Sequence, residues 1–294
     1  MKERGTDATQ SEQSALAKLR SMASDHAEAI RLACVWEATA AKVGNVHPQA
    51  AFDDCCFDDF CAAAAAVAPI LAGSRPGATS LGERILAAIA ATQAVTRANV
   101  NLGIVLLIGP LGLARDRPDV ARVLRELTPE DGAKIYRAIA LAGPGGMDTA
   151  GVDRQWDVRA APPPQIDLVA AMRSASQRDR IARQYATDFD DFFEHVVPVV
   201  SAELQAQQEI GEAIVRAQLR LLAAEPDSLI LRKCGVAVAS EVCDRAAACR
   251  AAEGTWDADQ RQALDRWLRA EGNRRNPGTT ADLIAAAIYW ILSR

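Results

Sequence analysis

The stretch "NPGTTADLIAAAIYW", Asn276 to Trp290, joins a polar turn to an apolar run. Its first five residues are poor helix material, because proline lacks an amide donor and glycine is costly to order. From Ala281 on, every residue suits a helix, and Thr279 or Thr280 can cap it. The spacing predicts a helix over 281–293 with Asp282 in its first turn. The rest of the chain has the same character. Apolar residues recur at helical spacing, as in Ile30, Ala33, Cys34, Ala38 and Ala41, and no stretch sustains the two-residue alternation of a half-buried strand. The expectation is therefore an all-α fold, with a flexible polar tail over 1–22 and a single compact multi-helix domain over 23–294. Further helices are predicted over 25–42, 58–71, 80–97, 102–113, 129–141, 166–186, 189–223, 228–251 and 257–271, with Pro198 kinking or breaking the longest. One long irregular segment, 143–165, contains three consecutive prolines. Irregular segments of that length are often functional, and this one is expected to cover a pocket.

Composition narrows the function classes. Half of the 294 residues are hydrophobic and alanine is abundant, which suits closely approaching helices. The net charge is −5 and no basic stripe stands out, so neither nucleic acid nor an anionic membrane is the expected partner. The seven cysteines form no CxxC pair and most lie among apolar residues, where they act as small hydrophobes. Reduced thiols in a cytoplasmic enzyme are expected rather than a disulfide framework. The first residues lack the apolar core of a signal peptide, and the longest apolar stretch, 102–114, is too short to span a bilayer. Alanine-rich helices such as Ala62 to Ala66 can pack within the chain or between copies, so a homo-oligomer is open.

Four polar clusters interrupt the pattern at helix ends: "EATAAKVGNVH" (Glu37–His47), "NVNLG" (Asn99–Gly103), "PDSLILRK" (Pro226–Lys233) and "NPGTTADL" (Asn276–Leu283). Each combines amides, hydroxyls or charges with a glycine or proline turn. Helix starts offer free amide hydrogens that suit phosphates, lysine adds a mobile cation, and arginine a planar fork. Taken singly, each residue also has an ordinary structural reading. Asn99 and Thr279 are typical caps. Glu37 lies five residues before Lys42, a poor spacing for an ion pair on a helix, so it reads as solvated. His47 beside Pro48 reads as a loop residue, Arg232-Lys233 as a surface pair, and Asp53, Asp54, Asp58 and Asp59 as an acidic run favouring a helix start.

Together and in this order, the clusters resemble the triphosphoribosyl-dephospho-CoA synthase family. The resemblance rests on E-x4-K-x-G-N-V-H at Glu37–His47, N-x-N-L-G at Asn99–Gly103, D-S-L-I-x-R-K-x-G at Asp227–Gly235 and N-P-G-T-T-A-D-L at Asn276–Leu283. Similarity continues through Asp157-Val158 and "AAMRSASQRDRIARQYATDF", Ala170 to Phe189, and spans about residue 25 to the end. It implies an all-helical enzyme that joins the ribose-triphosphate part of ATP to the 2′-hydroxyl of 3′-dephospho-CoA and releases adenine. The product of that reaction is a precursor of the prosthetic group of citrate or malonate lyase-type acyl carriers. The "GNVH" and asparagine-containing motifs resemble a second branch of the family without an obvious acyl-carrier partner. Asn101 stands where better-studied members have histidine, Val43 where proline is usual, and Val100 where threonine is usual.

The chemistry implied needs a carboxylate near the sugar, a grip on the triphosphate, and polar groups for ribose and base. Lys42, Arg232 and Lys233 are the phosphate candidates. Gly44, Asn45, His47, Asn99, Asn101, Asn276, Gly278, Thr279 and Thr280 complete the expected substrate contacts. Glu37, Asp54 and Asp282 are candidate catalytic carboxylates, and Asp54 with Asp282 is the expected pair of Mg²⁺ ligands, with phosphates completing the shell. Two other functions remain open: a same-fold enzyme with another acceptor in cofactor biosynthesis or one-carbon metabolism, and a non-catalytic nucleotide-binding protein.

Overall fold

Local capping sets most of the helix starts in the computed structural model, which describes residues 13–73, 80–143, 165–250 and 255–294. In chain order the helices are α1 (Ala15–Met22), α2 (His26–Thr39), α3 (Phe57–Leu71), α4 (Leu81–Val95), α5 (Leu102–Leu113), α6 (Arg117–Arg125), α7 (Pro129–Ala142), α8 (Leu168–Ala175), α9 (Arg180–Ala186), α10 (Val197–Ala206), α11 (Ile210–Ala224), α12 (Ser228–Cys234), α13 (Val236–Ala248), α14 (Ala258–Arg269) and α15 (Gly278–Leu292). Side chains of Ser14, Asp25, Ser80, Asp116, Thr128, Asp167, Asp179, Asp227 and Asp257 each accept a first-turn amide hydrogen. A cap of this kind is worth about 1 kcal/mol. Among the described residues there is no strand, only isolated bridge pairs such as His47 with Ala50. No described helix is long and apolar enough to cross a membrane.

Helices α5 and α15 are buried along nearly their whole length. A helix that is apolar on all sides must be enclosed by others. Here α15 packs on α2, α5, α10, α11 and α12, while α4, α3, α6 and α9 cover α5. Helices α2, α3, α4 and α7 form one flank, and α10, α11 and α13 the other. Ala63 and Ala64 are buried within the chain on α3.

Pro110 inside α5 removes the amide hydrogen that would meet the Leu106 carbonyl. The hydroxyl of buried Tyr185 donates to that oxygen instead, at 2.6 Å. This bond adds to the packing of α9 on α5.

Several sequence expectations change. Residues 15–22 are helix rather than flexible tail: Ala15, Leu16 and Leu19 are buried, and the Ala15 amide donates to the Gln207 carbonyl at 2.7 Å. Helix α6 was not expected; its start is capped by Asp116, with Pro118 in the first turn, where the missing donor costs nothing. The span 166–186 is two helices meeting at the Asp179 cap. The long span 189–223 begins with a π-helical turn (Phe192–Val196), which accommodates Pro198, and breaks at residues 207–209. The span 228–251 divides at Gly235, whose φ of 85° suits glycine. The last helix starts at Gly278, three residues early. The expected cover lies largely outside the described residues: only its ends, Gly143 and Gln165, are described.

Tyr185→Phe should leave the Leu106 carbonyl buried and unsatisfied, at a cost of about 1–3 kcal/mol. Urea unfolding should show this as a lower midpoint with unchanged slope. Adding Pro110→Ala to that variant restores an amide donor and should recover part of the loss. No recovery would mean that the Tyr185 hydroxyl has some other role.

Candidate active site

The four polar clusters converge on one cavity of about 980 Å³. Small-molecule sites span roughly 300–1,000 Å³, so this one has room for a large ligand or two adjoining ones. Its wall comprises the end of α2 and the loop after it (Glu37, Asn45, Asp54), the turn into α5 (Asn99, Asn101), helix α12 (Arg232, Lys233) and the start of α15 (Asn276, Gly278, Thr279, Asp282). Eleven residues expected from sequence are thus brought together.

Asp282 is the most unusual of them. It sits in the second turn of α15 with its carboxylate against the start of α5. A Cβ at Gly103 would lie 2.1 Å from Asp282 Oδ2 and 2.5 Å from Ile181 Cδ1, so only glycine permits this approach. Among the described residues the Asp282 carboxylate has no hydrogen-bond partner, and its remaining surface opens on the cavity. Burial first, then the nearby charges of Glu37, Asp227 and Asp179, push its pKa well above the usual carboxylate range.

Glu37 is held very differently. Helix α2 ends at Thr39 and the chain turns back, the Lys42 amide donating to the Ala40 carbonyl at 2.7 Å. Lys42 therefore folds onto the helix it has just left. Its Nζ lies 2.7 Å from Glu37 Oε1 and also donates to the Glu37 carbonyl at 2.5 Å. Both side chains are buried, with 0% and 3% exposure. Helical spacing rules do not apply once the helix has ended, so the solvated reading of Glu37 is replaced by a buried ion pair.

Asp227 ties α12 to α15. Its Oδ1 accepts from the amides of Leu229 and Ile230, at 2.9 and 3.1 Å, and its Oδ2 from the amide and hydroxyl of Thr280, at 2.7 and 2.8 Å. Burial raises its pKa although these bonds oppose the shift. Asp179 caps α9 through Oδ1 and accepts from Arg232 Nη1 through Oδ2 at 2.7 Å, which orients the guanidinium at the wall. Lys233 donates to the Asn273 carbonyl at 3.4 Å, and burial lowers its pKa.

Four expected substrate contacts lie behind the wall instead. Lys42 is enclosed and committed to Glu37, so it cannot meet a phosphate. Gly44 makes a turn with φ of 69°, and a Cβ there would lie 2.8 Å from Leu268 Cδ1. His47 is half-buried, paired with Gln49 at 3.1 Å, and its pKa is lowered first by burial. Thr280 is spent on Asp227. Sequence reasoning also missed residues that do line the cavity: Arg97, Asp179, Asn273, and an apolar end formed by Tyr136, Ile139 and Met172. Asp179 had a legible signal as a capping aspartate; the others had none.

The expected Mg²⁺ can be tested against these groups. Among the described residues no set of three or more His, Cys, Asp or Glu could hold a metal. Mg²⁺ needs only one or two carboxylates when substrate phosphates supply the rest. Asp54 fits that role at the Lys233 end, whereas Asp282 stands among Glu37, Asp227 and Asp179, and burial is the main cause of its raised pKa. Asp54 is exposed, accepts a bond from Asn273 Nδ2, and lies at the Lys233 end, so its charge is not among those that act most on Asp282.

The family model for ATP:dephospho-CoA triphosphoribosyl transferase (CitG) matches residues 23–294. Among solved structures, the chain is similar to a crystal structure from Archaeoglobus fulgidus of a protein provisionally assigned as a triphosphoribosyl-dephospho-CoA synthase. The two share 26% identity with a TM-score of 0.59, over 79% of this chain and 97% of the other. No curated protein sequence matches the chain significantly.

Lys42→Met should strand the Glu37 carboxylate and destabilise the protein by about 3–5 kcal/mol. Combining it with Glu37→Gln should restore much of that stability in urea unfolding; equal losses in both would deny the pair. For Asp282 the folded state holds its proton more tightly than the unfolded chain. Its contribution is therefore fully present at pH below about 4 and is lost as pH rises toward the raised value. Asp282→Asn removes this slope. The difference in melting temperature, variant minus parent, should widen upward with pH in the absence of Mg²⁺; a difference independent of pH would sink the assignment.

Proposed function

The chain belongs to the ATP:dephospho-CoA triphosphoribosyl transferase family, and from that premise we propose that its cavity transfers the ribose-triphosphate of ATP to the 2′-hydroxyl of 3′-dephospho-CoA, releasing adenine. It is a transferase of the triphosphoribosyl-dephospho-CoA synthase type. The observation that supports the site assignment is the convergence of the four clusters around the Asp282 carboxylate, which has no hydrogen-bond partner among the described residues.

In this reaction the bond from the ribose C1′ to adenine breaks and a bond from C1′ to the acceptor oxygen forms. The acceptor hydroxyl loses its proton and adenine gains one, so protons balance. Glu37, fixed by Lys42 and facing the cavity, takes the hydroxyl proton in our assignment. Asp282 faces the positive charge that develops at C1′, which favours its ionised form in the transition state. Arg232 and Lys233 hold the triphosphate, while Asn99 and Asn101 bind base or ribose. Mg²⁺ would be held by Asp54 at the lysine end together with the triphosphate, and would neutralise phosphate charge there, leaving Asp282 to the sugar. The seven cysteines are all free, which suits a reducing cytoplasm.

A second reading keeps the donor and changes the acceptor. It is favoured by Val100, an apolar side chain on the cavity wall, and by Asn101, whose amide is tied to Thr92 Oγ1 at 3.0 Å. An acceptor from cofactor biosynthesis or one-carbon metabolism would then replace dephospho-CoA.

Incubation with ATP, dephospho-CoA and Mg²⁺ should release adenine in step with a product whose mass equals the sum of the substrates minus adenine. Glu37→Gln should lower turnover by roughly 100-fold or more, and chelation of Mg²⁺ should stop it. Adenine release only with another acceptor would favour the second reading. No adenine release with any acceptor would overturn both.

A further inference from the structure

Gln218 is a polar residue on the apolar face of α11, fully buried and one hydrogen bond behind the cavity wall. Its side chain clasps the backbone of Val43: the Val43 amide donates to Oε1 at 2.9 Å, and Nε2 donates to the Val43 carbonyl at 2.9 Å. A peptide N–H must meet an acceptor and a peptide C=O a donor, so this clasp admits only one orientation of the Gln218 amide. A proline at position 43 could not donate the first of these bonds. The second hydrogen on Nε2 goes to Asn45 Oδ1 at 2.7 Å. Asn45 must then present its nitrogen on the other side, where Nδ2 donates to Asn276 Oδ1 at 2.5 Å. Reversing any one amide would set two oxygens or two NH₂ groups face to face. Asn276 is therefore left with its nitrogen for the cavity, and among the described residues that nitrogen has no partner.

The neighbouring cation completes the corner. The Asn273 carbonyl accepts both from the Asn276 backbone N–H, at 3.2 Å, and from Lys233 Nζ, at 3.4 Å. An ammonium with hydrogens to spare thus adjoins the backbone of Asn276, whose side-chain oxygen is committed to Asn45 and whose side-chain nitrogen remains as a donor. We propose that Gln218 is a positioning residue: through Asn45 it fixes Asn276 with its nitrogen toward the cavity, so that the Lys233–Asn276 corner takes a phosphate group. The proposal rests on the reading of this cavity as a nucleotide site, and it names where the phosphates lie.

Binding of inorganic tripolyphosphate and of adenosine to the full chain, followed by calorimetry, tests it. In Gln218→Glu the carboxylate cannot donate to Asn45, so both asparagines should turn over and Asn276 should offer oxygen to the cavity. Tripolyphosphate affinity should fall at least about tenfold relative to adenosine affinity, as for loss of a hydrogen bond to a charged group. In an Asn276→Ala background the same substitution should change tripolyphosphate affinity less than about twofold, because the relay then ends on nothing. If Gln218→Glu does not fold, Asn45→Asp serves, since it leaves the clasp on Val43 intact; direct charge repulsion survives removal of Asn276, whereas the relay effect does not. Equal losses with and without Asn276, or unchanged tripolyphosphate binding in a folded variant, would overturn the proposal, as would a parent protein that does not bind tripolyphosphate. Tripolyphosphate has neither ribose nor adenine, so the result is independent of whether ATP releases adenine.

Discussion

The carboxylate of Asp227 determines where the cavity can be. It takes four hydrogen bonds from the starts of α12 and α15, and it is buried while doing so. A buried carboxyl group is tolerated when its oxygens are this fully met, and losing any donor would leave a costly remainder. Because the bonds reach backbone amides as well as a side chain, they fix the two helices relative to each other. Ser228 and Thr279 reinforce the joint, with hydroxyls 3.0 Å apart, and Ser228 also accepts from the Arg180 amide at 3.1 Å. Arg232, Asp282 and the α9 segment are all placed by this one junction.

The fold class was legible because the chain has helical periodicity and capping residues throughout, and both are local properties. What sequence could not give was where a helix stops for tertiary reasons. Helix α1 looks like a polar tail until Leu16 and Leu19 are seen against α10 and α11. The site was half legible. The residues that bear charge or amides next to glycine turns were found, and most do share one cavity. Lys42 and Thr280 were misjudged because a lysine or threonine bound to a neighbouring carboxylate has the same sequence neighbourhood as one facing a ligand. Whether it is spent or free depends on the path of the chain after α2, or on an aspartate 53 residues away.

Val43 shows how a small departure can act through the backbone. Its side chain is buried and does not line the cavity. Read as a side-chain change from the family's usual proline, it has little meaning. Its amide hydrogen, which proline lacks, is the first link in the chain of amides running through Gln218 and Asn45 to Asn276. The change therefore bears on hydrogen-bond polarity at the wall.

The carboxylates gathered around Asp282 suit cleavage at C1′ better than transfer of a phosphoryl group. Asp282 is pressed by Glu37, Asp227 and Asp179, so the deep part of the site concentrates carboxylates. Lys233 lies toward the turn at Asn273, whereas Arg232 is bonded to Asp179 and its charge reaches Asp282. Phosphoryl transfer develops charge on the phosphate itself, and catalysts of that reaction surround it with cations. Glycosyl transfer develops positive charge on the sugar, several bonds away from the triphosphate, and gains from anions there. A ligand anchored by phosphates at the lysine end would present its sugar to the carboxylates. Asp54, an acidic group at the lysine end, is exposed and bonded to Asn273, so water and that amide offset its charge. The same arrangement explains why Lys42 is turned away from the cavity: a cation beside the developing charge at C1′ would oppose it, whereas one behind Glu37 stabilises the carboxylate without facing the substrate.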